Sequence, residues 1–152
     1  MLGRSIAIEN PSSYLAHSNS DMDECDFLVE LARRSGASIL LDINNIHVSS
    51  RNHGWSALDY VDRIPPTLVS EFHLAGHKVE QTAAGVFLID DHGSQVAPVV
   101  WALYQHALAC IGPRPTLIEW DTDVPELAVL ASEANKAERL LRDLQLRPQT
   151  HE

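Results

Sequence analysis

The sequence is poor in the features that announce most functional classes. Only two of its 152 residues are cysteine, Cys25 and Cys110, far apart and without a CxxC spacing. Both fall in helical patterns and read as reduced, buried thiols, neither of them a nucleophile. Basic residues are scarce, 11 Lys and Arg against 21 Asp and Glu, for a formal net charge of −10. Without a basic stripe, phosphate binding has no footing, so a nucleic-acid partner is not expected. An acidic surface gives no attraction to anionic membranes either; it is compatible with cations and also simply maintains solubility. No apolar run approaches the roughly 20 residues a membrane helix needs. Glu9 interrupts the N-terminus before a signal-peptide core can form, and a cytoplasmic location is expected. There is no GxGxxG and no Walker-type GK[ST], which removes the usual dinucleotide and phosphate cradles. No linker or low-complexity tract divides the chain, and 1–152 reads as a single domain.

What is present is a recurring unit. A short aliphatic or β-branched run ends in acidic, amide or histidine residues, and a helix-like segment follows. The runs are Ile6 to Asn10, Ile39 to Asn44, Leu68 to Leu74, Val86 to Asp90 and Thr116 to Trp120. Near-continuous apolar strands predict a parallel sheet covered on both faces. Helices are expected from a Ser20 cap to Gly36, from Ser56 to Arg63, from Pro98 to Gly112, and from an Asp123 cap through Leu141. The Val86 run has no convincing helix before it and reads as a hairpin or loop excursion. Alternating strands and helices without a glycine-rich first turn favour a barrel over an open doubly wound sheet. A full barrel takes about 250 residues, so the chain is expected to be the C-terminal portion of a (β/α)8 TIM barrel, xylose-isomerase-like, lacking the N-terminal strands.

In a barrel, the C-terminal strand ends converge on one mouth. The residues carried there are Glu9 and Asn10, Asp42 with Asn44 and Asn45, Glu71 with His73 and His77, Asp90 and His92, and Glu119 with Asp121. Taken singly, an acidic residue at a strand end is more often a helix cap, and Asn44-Asn45 is as well explained by a turn. The pair His73 and His77 straddles a glycine and is weak as a metal motif on spacing alone. Asn52-His53-Gly54 reads as a turn, and Trp55, Trp101 and Trp120 as core or rim residues. His17, His47, His106 and His151 are assigned surface or packing roles. Five successive strand ends bearing ligand-type residues change those odds. Imidazole, carboxylate and amide together suit iron or manganese, with zinc also open.

The motifs Ile8-Glu9-Asn10-Pro11-Ser12, Leu41-Asp42-Ile43-Asn44-Asn45, Asn52-His53-Gly54, Glu71-Phe72-His73-Leu74-Ala75-Gly76-His77, Ile89-Asp90-Asp91-His92 and Thr116-Leu117-Ile118-Glu119-Trp120-Asp121 occur in a telling order. The chain resembles the multinuclear non-haem iron-dependent oxidative enzymes, a TIM-barrel family that includes the iron subunit of methanobactin biosynthesis. The resemblance runs from Ile6 almost to Leu141. It implies two or three iron ions at the mouth of a complete barrel, using dioxygen to modify a residue, often cysteine, of a ribosomally made peptide presented by a small partner protein. Carried over by motif, Glu9 is implied as a bridging carboxylate. Asp42, Asn45, His77, Asp90, His92 and Glu119 are implied as metal ligands, and His73 as a ligand or the orienter of one.

Early strands supply further histidines in that family, so this chain is expected to need a complementary N-terminal half or self-association. Two other readings are carried alongside. One is a non-catalytic barrel fragment that binds metal or a partner protein. The other is a sugar isomerase-like or hydrolytic metalloenzyme on the same fold.

Overall fold

The computed structural model describes residues 3–16, 18–83 and 85–146; His17 and His151 lie outside the described residues. Four strands, β1 (Ala7–Glu9), β2 (Ser38–Asp42), β3 (Val69–Ala75) and β6 (Thr116–Glu119), form one parallel sheet in the order β1-β2-β3-β6. A separate antiparallel hairpin, β4 (Lys78–Thr82) with β5 (Gly85–Ile89), leaves the end of β3. The expected excursion at Val86 is therefore this hairpin. The helices are α1 (Glu24–Ser35), α2 (Ile43–His53), α3 (Ala57–Arg63), α4 (Pro98–Ile111) and α5 (Leu127–Leu146), with a 3-10 turn at Pro66–Leu68. The architecture is thus α/β with a parallel sheet and helical connections. No helix among the described residues is long and apolar enough to cross a membrane.

Strand periodicity divides the sheet into two chemically distinct faces. Ile8, Ile39, Leu41, Phe72, Leu74 and Ile118 share the face that packs with α1 to α5 into one core. Alternate positions place Glu9, Asp42, Glu71, His73, Leu117 and Glu119 on the opposite face. The helices cover only the first face among the described residues; Leu117 on the second is 47% exposed. This corrects the expectation of a sheet covered on both sides. The strands read as apolar because residues of the second face, such as Leu40 and Leu117, are apolar even where no helix packs on them.

Burying Phe72 and Leu74 completely contributes about 2–3 kcal/mol per side chain, which anchors β3 in the middle of the sheet. Phe72 meets the Tyr104 ring edge-on at 5.6 Å. Helix α4 carries Val100, Trp101, Leu103, Tyr104, Ala107, Leu108 and Ile111 into this core. Pro98 opens it, and Gly112 closes it with its N–H on the Leu108 carbonyl.

Several local expectations are revised. Helix α1 is capped by Asp23, whose side chain accepts from the Asp26 N–H at 2.9 Å, and not by Ser20. Gly36 closes it as expected, in the left-handed region at φ 72. Asn44 and Asn45 form no turn: they begin α2, which the strand reading of Ile39 to Asn44 overlooked. Asn52 and His53 are the last turn of that helix, and Gly54 is its left-handed cap. The last helix starts at Leu127, beyond Asp123, which itself holds φ 49. Cys25 is buried, but Cys110 is exposed, because its side of α4 faces outward.

Candidate metal centre

Asp42 shows how the local fold builds the site. It is the last residue of β2 and the N-cap of α2. Its Oδ1 accepts the Asn45 N–H at 2.6 Å, while Oδ2 is buried and has no hydrogen-bond partner among the described residues. The helix-cap reading of a strand-end acid therefore holds for one oxygen and leaves the other free. Burial raises this carboxyl to about 8, offset in part by the Asn45 N–H.

Amides knit the strand ends together. Asn10 donates to the Asp42 carbonyl at 2.9 Å and accepts the Asp42 N–H at 2.8 Å, so its side chain extends the β1–β2 ladder. Asn45 donates to the Asn10 carbonyl at 3.0 Å, and its Oδ1 is a second buried oxygen without a partner. Two orphaned oxygens within one strand-to-helix turn are costly unless something electropositive meets them.

Next to Asp42, in register across the sheet, stands His73. Its Nδ1 lies 3.1 Å from Glu119 Oε2 and 3.8 Å from Glu9 Oε1, and its Nε2 lies 3.6 Å from Glu71 Oε1. One donor atom from each of Glu9, Asp42, His73 and Glu119 falls within 4.8 Å of the others. A second such group comprises His92, Glu119 and Asp121. Glu119 belongs to both. Burial is also the main reason that the Glu9 carboxyl is raised above its ordinary range.

The hairpin returns the chain to the same rim. Asn52 clamps β5, donating to the Leu88 carbonyl and accepting the Leu88 N–H, both at 2.9 Å. Tyr14 Oη accepts the Asp90 N–H at 2.9 Å. Beyond Asp90 the backbone passes through His92 at φ 47, a left-handed conformation rare for a non-glycine residue. That conformation aims the His92 carbonyl at the Asp121 N–H, 2.9 Å away. The ring lies between Asp90 (Nε2 to Oδ1, 2.8 Å) and Asp121 (Nδ1 to Oδ2, 3.2 Å), with Glu119 Oε2 at 3.6 Å. Asp90 above all raises His92 to about 9. Glu9, Pro11, Ser12, Asn45, Asp90, His92 and Glu119 line an open cavity of about 360 Å³.

His77 stands apart from both groups. Its Nδ1 meets Asn44 Oδ1 at 2.8 Å, and Asn44 in turn donates to Asp90 Oδ1 at 2.7 Å. Its ring lies 5.0 Å from that of His47, and burial depresses both imidazoles, His47 to about 4. His47 is buried, in keeping with a packing role, yet its place beside His77 had no signal in spacing. Tyr14 and the Asn52 clamp were equally hidden, because both act across more than 30 residues of chain.

The glycine of His73-Leu74-Ala75-Gly76-His77 has a steric reason. A Cβ on Gly76 would overlap the Ser94 carbonyl and hydroxyl. The absence of a side chain lets the loop after β5 close over the end of β3, carrying Asp90 and His92 with it.

The donor set fits a divalent cation of the iron, manganese or zinc kind: imidazole and carboxylates gathered by geometry, with two buried oxygens that have no hydrogen-bond partner among the described residues. A carboxylate common to two groups is able to serve two neighbouring cations.

Comparison with known proteins agrees with the motifs. A family model described as RiPP precursor modification enzyme MbnB/TglH/ChrH matches residues 1–142. Similar proteins include a UPF0276 protein of Caulobacter sp. (strain K31), 48% identical over 141 residues, 93% of this chain and 51% of the relative. Another, from Vibrio parahaemolyticus, is 47% identical over 143 residues, 94% of this chain and 50% of the relative. A third, from Acaryochloris marina, is 47% identical over 148 residues, covering 97% and 51%. The chain thus spans about half the length of the curated relatives it matches. With the matched model extending over nearly all of it, the chain belongs to the MbnB/TglH/ChrH family of RiPP precursor modification enzymes.

Proposed function

We propose that this chain is the C-terminal part of a (β/α)8 barrel whose mouth holds a multinuclear iron centre for oxidative modification of a ribosomally made peptide. The observation that carries the reading is Glu119, shared between the Glu9–Asp42–His73 group and the His92–Asp121 group. Glu9, Asp42, His73 and Glu119 would hold one metal, and Glu119 with His92 and Asp121 would hold a second. Asn45 offers its orphaned Oδ1 to the first. Asp90 orients His92, and His77 positions Asp90 through Asn44. The bare second face of the sheet and the short edges β1 and β6 support a barrel interior that other strands complete.

Bound iron supplies dioxygen activation and oxidation of the substrate, for which a peptidyl cysteine is the proposed target. The chain's own residues hold the charge and the geometry. Burial favours the protonated form of Asp42, and a bound cation would take the place of that proton, so the pocket need not hold a bare buried charge. The carboxylates of Glu9 and Glu119 offset the charge of two neighbouring cations. The open cavity over Glu9, Asp90 and His92 leaves room for a peptide side chain delivered by a partner protein.

The test is oxygen uptake by anaerobically prepared, iron-loaded protein together with the complementary strands, offered cysteine-containing precursor peptides. Uptake with a mass change on cysteine is expected. Turnover that persists without oxygen, or with zinc in place of iron, would overturn the oxidative reading.

A further inference from the structure

At the end of the molecule opposite the mouth, α3 and α4 gather three ligand-type side chains that the family resemblance does not involve. His106 Nε2 lies 2.6 Å from Asp62 Oδ1. Cys110 Sγ lies 3.4 Å from the same oxygen and 3.5 Å from His106 Nε2. His106 and Cys110 are four residues apart on α4 and therefore point to one side of it. Asp62 is the penultimate residue of α3. The second half of α4 leads into the N-terminal end of β6, which places the cluster away from the strand ends that carry Glu9, Asp42 and Glu119.

We propose that Asp62, His106 and Cys110 form a second metal site, binding a zinc-class divalent cation through three protein ligands with the fourth position open to solvent. Bond lengths of about 2.3 Å to sulfur, 2.1 Å to imidazole nitrogen and 2.0 Å to carboxylate oxygen are typical of zinc. At tetrahedral angles these lengths set sulfur about 3.6 Å from nitrogen and about 3.5 Å from oxygen, with nitrogen and oxygen about 3.4 Å apart. The two sulfur edges are already 3.5 and 3.4 Å. Only the nitrogen–oxygen edge is short, because it is now a hydrogen bond. It opens when a cation stands where the shared proton was, and the Asp62 side chain, 52% exposed, is free to yield. On binding, the thiol proton leaves to solvent and His106 offers its Nε2 lone pair, with the ring proton on Nδ1. Without a cation the same edges are hydrogen bonds, the Cys110 thiol donating to Asp62 Oδ1 at 3.4 Å and meeting His106 Nε2 at 3.5 Å, so the three donors are already gathered and a cation has only to displace the protons between them.

Cobalt(II) is the probe, added to the full chain. The mouth contains no thiol, and Cys25 is only 2% exposed. A thiolate-to-cobalt charge-transfer band therefore reports this cluster alone. The band is expected to appear with added cobalt, to be bleached by zinc, and to vanish in Cys110→Ser and in His106→Ala. Asp62→Asn is expected to weaken cobalt binding by about tenfold or more. All three residues are at least partly exposed, so the variants should fold; thermal melts matching the parent in metal-free buffer verify this. Absence of the band in the parent would overturn the proposal. So would a band that survives His106→Ala, which would mean a lone cysteine, or an unchanged affinity in Asp62→Asn.

Discussion

Asp42→Asn separates the two duties of one side chain. Asp42 is fully buried, caps α2 through Oδ1, and leaves Oδ2 without a partner. Burial lifts its carboxyl to about 8, against roughly 3.9 in an unfolded chain. Between those values the folded apo-protein retains a proton that the unfolded chain has released. This group's contribution is therefore most favourable below about pH 4 and is lost as pH rises toward 8, at about 1.4 kcal/mol per pH unit. From pH 5 to pH 7 the loss is about 3 kcal/mol, or roughly 6–12 °C in Tm for a chain of this size. Asparagine caps helices as well as aspartate does and does not titrate. It leaves a buried amide where Oδ2 stood, a constant cost of about 1–2 kcal/mol. In metal-free buffer the variant should thus be about level with the parent at pH 5, where the parent has already lost about 1.5 kcal/mol, and more stable than it by pH 7. With metal the relation reverses: the cation displaces the Asp42 proton, the parent gains stability with rising pH, and the variant gains little. Differential scanning calorimetry across pH 5–8, with and without metal, reads both effects. Parallel pH profiles for parent and variant without metal would refute the assignment of Asp42 as the buried, cation-displaced carboxyl.

The remaining predictions concern the scaffold around the site. Gly76→Ala forces a methyl into the Ser94 backbone; it should cost about 1–3 kcal/mol and lower metal uptake, both absent if the loop after β5 simply shifts. Asn52→Ala removes both hydrogen bonds to Leu88, a loss of about 1–3 kcal/mol. Hydrogen exchange at the Leu88 amide should accelerate, and unaltered protection there would show that β5 does not depend on the clamp. Alkylation of native metal-free protein should modify Cys110 and spare Cys25, since Cys25 is buried and its thiol is raised to about 11; peptide mass mapping distinguishes the two.

Much of this arrangement was legible in the chain because parallel strands followed by helices put chemistry at a fixed place, the strand ends. Ile39, Leu41, Phe72 and Leu74 alternate with Asp42, Glu71 and His73, so the core face and the site face are both written in the period of two. What escaped was α2. Ile43-Asn44-Asn45-Ile46-His47-Val48-Ser49-Ser50 is a poor helix former by propensity, and all eight residues are buried. Tertiary packing and the Asp42 cap outweigh propensity there. The amides show the same limit from the other side. Asn10 and Asn44 carry the same donor types as a ligand, yet their contacts make them struts between strand ends, and only the fold distinguishes the two uses. The cluster of Asp62, His106 and Cys110 spans two helices 44 to 48 residues apart, and no short motif announces such a pair.

In the proposed centre, Glu119 serves two cations at once. The direct measurement is iron content after anaerobic Fe(II) loading and desalting, with mass by light scattering, for the parent, His92→Ala and Glu119→Gln. Two irons at the mouth are expected in the parent, one in His92→Ala, and fewer than one in Glu119→Gln. A folded Glu119→Gln protein that retains the parent's full iron content would contradict the account.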